Sequence, residues 1–221
     1  MPTNQTPSAT DQNLSISASE FIWETSEGTS AHPYLVPPTI DLLKKDHAER
    51  VLDLGCGNGA FAAAIQRKGF TVIGCDASAS GLALARRQSP HISFFSQDLA
   101  DPLDPDHIER YDAVISMEVV EHLLLPRTLV SSAMQALRPG GLLIISTPFH
   151  GYLKNLALAV TNSFDNHWHP LRDFGHVKFF SERTLSLLLS GGGFKIEQVL
   201  RVGRLVPAFA RSMIVVARKP G

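Results

Sequence analysis

Residues Val51-Leu-Asp-Leu-Gly-Cys-Gly-Asn-Gly59 decide the fold. An apolar run ends in a carboxylate. A turn with glycines at 55, 57 and 59 follows, and Ala60 to Gln66 then has the composition of a helix. Strand, tight turn and helix in that order open a nucleotide-binding α/β sheet. The three glycines admit positive φ and let a ligand approach the main chain closely. The helix N-terminus behind them presents unpaired N–H groups.

The pattern repeats outward from this stretch. Phe70–Cys75 reads as a strand ending at Asp76, Ser78–Gln88 as a helix and His91–Phe95 as a strand. Tyr111–Ser116 reads as a strand and Arg127–Arg138 as a helix. Pro139–Gly141 is a tight turn before the almost wholly apolar Leu142–Ser146, as a central parallel strand should be. A helix capped at Ser181 follows, and Phe194–Val202 and Met213–Ala217 make a closing hairpin. Strands alternating with helices predict a doubly wound α/β fold. The expected sheet is Rossmann-like, seven-stranded and mostly parallel, with a C-terminal antiparallel hairpin and helices on both faces.

Residues 1–19 are polar and predict a disordered tail. Residues 20–221 form a single domain, with an N-terminal cap over 20–48 and a substrate-side insertion over 148–180. Within the cap, Thr39–Lys45 has one apolar face and reads as a short helix. The aromatic cluster around Trp23 packs on the surface or closes over a bound ligand. In the insertion, Gly151–Phe164 is apolar on more than one face. It reads as a core helix, an apolar wall for a hydrophobic substrate, or a peripheral membrane contact. Lys154 alone is too little charge for strong membrane attraction.

The ligand class follows from Asp53. Gly55, Gly57 and Ala60 also satisfy the dinucleotide fingerprint G-x-G-x-x-G/A. In that setting Asp53 would face a pyrophosphate, which is unfavourable. A carboxylate there suits a ligand with an ammonium and no phosphate, as S-adenosylmethionine (SAM) is. Asp76, about twenty residues beyond the turn, is placed to accept both ribose hydroxyls. Nicotinamide enzymes place an acid similarly, so an NAD-dependent oxidoreductase is the alternative.

Asp53-Leu-Gly-Cys-Gly-Asn-Gly59 resembles motif I of the class I SAM-dependent methyltransferases. The similarity runs from about His32 to the C-terminus. It is strongest to the ubiquinone-biosynthesis O-methyltransferases and their small-molecule relatives. The resemblance implies a cofactor site of Asp53, Gly55, Cys56, Gly57, Gly59, Asp76 and Ala77. Asp98 would bind the adenine amino group, with Leu99 against the ring and Met117 on the adenosine. The segment from His32 caps the SAM site in that family, so His32 and Tyr34 are candidates for cofactor or substrate contact.

Met117-Glu-Val-Val-Glu-His122 follows strand 4 at the carboxyl edge, where open α/β sheets bind ligands. His122 and Glu121 are the candidate catalytic residues, with His122 the general base for a hydroxyl acceptor, being neutral near pH 7. Glu118, Glu121 and His122 resemble the Glu-x-x-Glu-His motif linked in that family to a divalent cation and a catechol-type substrate. Magnesium, which favours oxygen ligands, is the implied ion. Gly175-His176-Val-Lys-Phe179 is similar to a second element of those enzymes. It makes His176, with His150, a substrate-side candidate. The segment Asp165–Asp173 is longer and richer in His and Trp than the family pattern. His167 and His169 flank Trp168, and without a cysteine partner they predict no zinc site.

A formal net charge of −1 leaves no electrostatic footprint for nucleic acid. The two cysteines, Cys56 and Cys75, predict buried thiols rather than a disulfide framework. No apolar run is long enough to span a bilayer, and the first 20 residues lack the basic and apolar parts of a leader. A cytoplasmic enzyme is the expectation. The expected activity is methyl transfer to a hydroxyl oxygen of a small, hydrophobic or aromatic acceptor. Nitrogen and carbon acceptors are the alternatives, because this fold hosts all three.

Overall fold

The computed structural model describes residues 22–166, 171 and 174–221. The expected tail over 1–19, and His167 and His169, lie outside the described residues. The first helix is α1 (His32–Lys45), followed by β1 (Arg50–Leu54), α2 (Ala60–Gln66), β2 (Thr71–Asp76), α3 (Ala79–Gln88) and β3 (Ser93–Ser96). Then come β4 (Tyr111–Met117), α4 (Pro126–Ala136), β5 (Leu137–Pro148) and α5 (Tyr152–Val160). The chain closes with α6 (Glu182–Gly191), β6 (Lys195–Val202) and β7 (Ser212–Arg218).

The seven strands lie in the order β3-β2-β1-β4-β5-β7-β6. The first five are parallel, and β7 runs antiparallel to both β5 and β6. The order reverses between β1 and β4, the position at which open α/β sheets bind ligands, at the carboxyl ends of the strands. The period of two along the strands explains the two cores. Leu52, Leu54, Val114 and Leu143 face α4 and α6, while Val51, Ala113, Ile115 and Ile144 face α1, α2 and α3. Asp53 shares the second face with Val51.

Two expectations need correcting. Helix α1 begins at His32, not Thr39, and carries Pro37 and Pro38 inside it. Both prolines lack the N–H that an interior helical residue donates. Burial of Leu35, Ile40 and Leu43 outweighs that loss, and the Thr39 hydroxyl donates to the Leu35 carbonyl at 2.8 Å. The second correction is at Pro139–Gly141. These residues lie inside β5 as a bulge rather than before it as a separate turn. Tyr111 pairs with Leu137 and Ala113 with Leu142, so four residues of β5 stand opposite Asp112 alone. Gly140 takes φ 75° to make that detour.

Candidate active site

The glycine turn is held from below by β2. The amides of Gly55 and Cys56 both donate to the Cys75 carbonyl, at 2.8 and 2.9 Å. Gly57 is wedged against Trp23, and a Cβ there would lie 2.3 Å from the indole. Trp23 also covers Gly81 at the start of α3. The strap bearing it is pinned at three points. The Trp23 amide donates to Ser80 Oγ, and Asn58 Nδ2 donates to the carbonyls of Thr25 and Glu27. Trp23 therefore packs directly on the glycine turn.

Asp53 is 1% exposed, and its Oδ2 has no partner. Burial first, and then the neighbouring Asp76, push its pKa up to about 7. A buried carboxylate oxygen without a partner, at the foot of a glycine turn, fits the ammonium of SAM. Asp76 Oδ2 accepts the Gly57 amide at 2.7 Å and Oδ1 accepts the Ser78 amide at 2.8 Å. Ser78 caps α3 through its hydroxyl, so Asp76 is not the helix cap. Asp98 is exposed and turns back on the Ala100 amide, with Leu99 half-buried beside it. Ala77 is exposed at the rim. Met117 is half-buried at the end of β4, against the face that carries α1 to α3. Cys56 and Cys75 are buried free thiols.

Facing the glycine turn is the loop after β4: a Cβ on Gly55 would strike Val119 at 2.7 Å, so the two loop edges touch. Glu118 has φ 57°, a left-handed conformation that non-glycine residues rarely hold. Its side chain turns toward the antiparallel strands. Ser146 donates to Oε1 at 2.8 Å and Ser212 to Oε2 at 3.3 Å, and Tyr34 Oη lies 3.3 Å from the Ser212 hydroxyl. Burial pushes the Glu118 pKa up to about 7, against those two hydrogen bonds and the Lys154 charge. Lys154 itself reaches back to the carbonyls of Phe149 and Ala210, at 2.9 and 3.3 Å.

Glu121 is 1% exposed, and neither carboxylate oxygen has a hydrogen-bond partner. Thr147 approaches it without reaching hydrogen-bond geometry. Burial, and then the charge of Glu118, hold Glu121 well above the usual carboxylate range. His176 Nε2 stands 3.9 Å from Glu121 Oε1, and the rings of His122 and His176 meet edge to face at 4.8 Å. His122 Nδ1 lies 2.9 Å from the Phe174 carbonyl and 3.2 Å from that of Gly175. Carbonyls only accept, so Nδ1 carries a proton, and in the neutral ring Nε2 is the acceptor nitrogen.

The structure thus regroups the expected residues. Glu121 and His122 meet His176, from a segment more than fifty positions away, while Glu118 pairs with Tyr34 through Ser212. His32 joins neither group. Its ring packs edge on to Phe61, with centroids 5.2 Å apart. His150 faces Phe179 and Asn155. Ser146, Ser212 and Lys154 are the site residues that the sequence did not single out. Two serines at strand ends carry no distinctive spacing, and β7 had first to be placed beside β5.

Residues 31–199 match the family model described as a methyltransferase domain. The chain belongs to that methyltransferase family. Among curated proteins, it is 32% identical over 173 residues to a ubiquinone biosynthesis O-methyltransferase of Cereibacter sphaeroides, covering 76% of this chain and 68% of that protein. It is 31% identical over 150 residues to the protein of that name from Dinoroseobacter shibae, covering 66% of this chain and 60% of the other. The match thus spans about six tenths of that relative's length. Among solved structures, the magnesium protoporphyrin IX methyltransferase of Synechocystis, with bound S-adenosylhomocysteine, superimposes with a TM-score of 0.62 at 22% identity. That match covers 83% of this chain and 81% of the other. A Burkholderia thailandensis 1,6-didemethyltoxoflavin-N1-methyltransferase gives 0.61, also at 22% identity, covering 84% and 78%. At these identities the structural likeness speaks for the fold. Sequence, sheet order and neighbours agree on the class I methyltransferase architecture and leave no place for the dinucleotide alternative.

Proposed function

We propose that this protein transfers the methyl group of SAM to a hydroxyl oxygen of a small, largely apolar acceptor, leaving S-adenosylhomocysteine. The carrying observation is the tautomer of His122. Its Nδ1–H is tied to two carbonyls, so Nε2 is the nitrogen left to take a proton, at the carboxyl edge of β4. Methyl transfer breaks the sulfur–methyl bond and forms an oxygen–methyl bond, and the sulfonium recovers its electron pair. His122 accepts the hydroxyl proton at Nε2 as the oxygen attacks. Asp53 and Asp76 hold the ammonium and ribose ends of SAM, and the glycine turn lets its amino-acid end lie on the main chain.

The rim supports an apolar acceptor. Leu153 and Leu156 of α5 are exposed, α5 lies against the turn Pro207–Phe209, and Phe209 is exposed there too. Only Leu158 of α5 is buried, so this helix is a wall more than a core element. Among the described residues no helix is long and apolar enough to cross a membrane. An apolar rim of this kind suits peripheral contact with a membrane surface while an acceptor enters. A divalent cation beside the acceptor is a second reading, favoured by the two partnerless oxygens of Glu121.

The test is a methyl-acceptor screen with labelled SAM over matched catechols, phenols, anilines and aliphatic amines. Methylation of the phenolic members alone supports the reading. Methylation of amines with phenols inert overturns it.

A further inference from the structure

The hairpin of β6 and β7 pairs the arginines of its strands with carboxylates and leaves those of its loop without them. Arg201 meets Glu182 at 2.6 Å, and Arg218 meets Glu197 at 2.6 Å and Asp46 at 2.7 Å. Arg204 and Arg211 belong to the loop 203–211 that joins the strands. Both are exposed, and among the described residues neither makes an ion pair. Lys154 of α5 joins them. Its half-buried ammonium donates to the carbonyls of Phe149 and Ala210, at 2.9 and 3.3 Å. Burial first, and then the charge of Arg204, lower the Lys154 pKa, against the pull of Glu118.

The backbone holds these like charges in place. The Arg211 amide donates to the Val202 carbonyl, and the Phe149 amide donates to the Arg211 carbonyl, each at 2.9 Å. Gly203 takes φ 88°, and a Cβ there would lie 2.9 Å from Arg211 and 3.1 Å from Tyr34. The Arg211 guanidinium stands 5.8 Å from the centre of the Tyr34 ring, and Tyr34 reaches Glu118 through Ser212. The cluster therefore borders the loop after β4. Like charges held together repel, and a bound anion relieves the repulsion. Glu118, the carboxylate that acts on Lys154, is already engaged by Ser146 and Ser212. The position favours an anion of the acceptor over one of the cofactor. The glycine turn follows β1, and β4 and β5 stand between β1 and β7 in the sheet. Leu153 and Leu156 of α5, and Leu205, Val206 and Phe209 of the loop, are exposed around the cluster, so the anion sits beside an apolar surface.

We infer that Lys154, Arg204 and Arg211 bind a carboxylate carried by the methyl acceptor, so that the substrate is an apolar hydroxy acid and not a neutral phenol or alcohol. The inference rests on the proposed function, whose acceptor it specifies. The two guanidinium groups offer forked donors that match a carboxylate, and the Lys154 ammonium adds a point charge. His122 keeps its role, because the carboxylate is held apart from the hydroxyl that loses its proton.

The experiment is a calorimetric titration of the full chain, saturated with S-adenosylhomocysteine. The probes are hydroxyphenylalkanoates of increasing chain length and the carboxamides of the same lengths. Wild type is expected to bind the acid about tenfold or more tighter than its amide at the best length, the scale of hydrogen bonds to charged groups. The paired variant Arg204→Gln with Arg211→Gln should bring that ratio to within a few-fold, with the affinity for S-adenosylhomocysteine at its wild-type value. Lys154 is left in place there, because it holds two carbonyls beside the loop. No preference for acid over amide, failure of every acid to bind, or a preference undiminished in the paired variant overturns the inference. A fall in S-adenosylhomocysteine affinity in that variant assigns the cluster to the cofactor's own carboxylate and overturns it too. Wild type that binds S-adenosylhomocysteine yet treats acid and amide alike defeats this inference alone. Wild type that binds no S-adenosylhomocysteine defeats the proposed function, and this inference with it.

Discussion

The amide of Val177 donates to the carbonyl of Glu121 at 2.9 Å. That bond, with the Lys178 amide beside it, ties the loop before α6 to the loop after β4. Neither loop holds a complete site. One brings the buried carboxylate and a histidine, and the other brings a second histidine and the carbonyls that orient the first.

If His122 accepts the acceptor's proton, His122→Ala should lower turnover about 100-fold or more while leaving S-adenosylhomocysteine binding within a few-fold of wild type. Steady-state rates and calorimetric titration on one preparation check both halves. The same turnover as wild type between pH 6 and 9 would exclude His122 as the base.

Asp76→Ala should weaken S-adenosylhomocysteine binding by roughly 30-fold or more, about 2 kcal/mol. The loss has two sources, the ribose hydroxyls and the Gly57 and Ser78 amides that Asp76 now satisfies. A thermal-unfolding midpoint measured without ligand separates them, because only the second source destabilises the free protein.

Asp53 titrates near 7 in the free protein, against an ordinary value of 3.8. Between those values the unfolded chain has lost the proton that the folded chain keeps, so stability falls as pH rises from about 4 to 7. The full penalty, of order 4 kcal/mol, is in place above pH 7. Asp53→Asn should flatten the dependence of the unfolding midpoint across that range. Glu118, raised for the same reason, contributes a slope of the same sign. An ammonium docking on Asp53 favours its ionised form, so S-adenosylhomocysteine binding at pH 7 should release a fraction of a proton. Calorimetry in buffers of different ionisation enthalpy measures it, and zero release would sink the pairing.

Gly57→Ala should impair both folding stability and cofactor binding. Its Cβ would lie 2.3 Å from Trp23, and φ is already 52°. Adding Trp23→Ala should recover the clash component but not the backbone strain. A double-mutant cycle on the unfolding midpoint reads the difference, and strict additivity would show that the two residues do not touch in solution.

The glycine-turn half of the candidate site was legible because it is local. Asp53, the three glycines and α2 lie within fourteen consecutive residues, and Asp76 ends the next strand. Turn chemistry and strand period act over such distances without help from the rest of the fold. The half built on the loop after β4 was legible only in part. The run from Glu118 to His122 stood out, but its carboxylates look equivalent in the sequence. One turns to Ser146 and Ser212 and the other to His176 because Glu118 takes a left-handed backbone conformation. The early start of α1 was hidden by Pro37 and Pro38, whose local cost is overridden by burial of the helix face.

By itself, the sequence determined the class of fold, the order of its elements and the glycine turn between β1 and α2. Each follows from interactions between near neighbours along the chain. Only the tertiary structure decided which groups of the separate loops face one another. That outcome depends on β7 entering between β5 and β6, and on the 174–178 segment docking on the carbonyl of Glu121. Both bring together residues far apart in sequence. Their pairing energies come from burial and backbone hydrogen bonds that exist only once the sheet is complete.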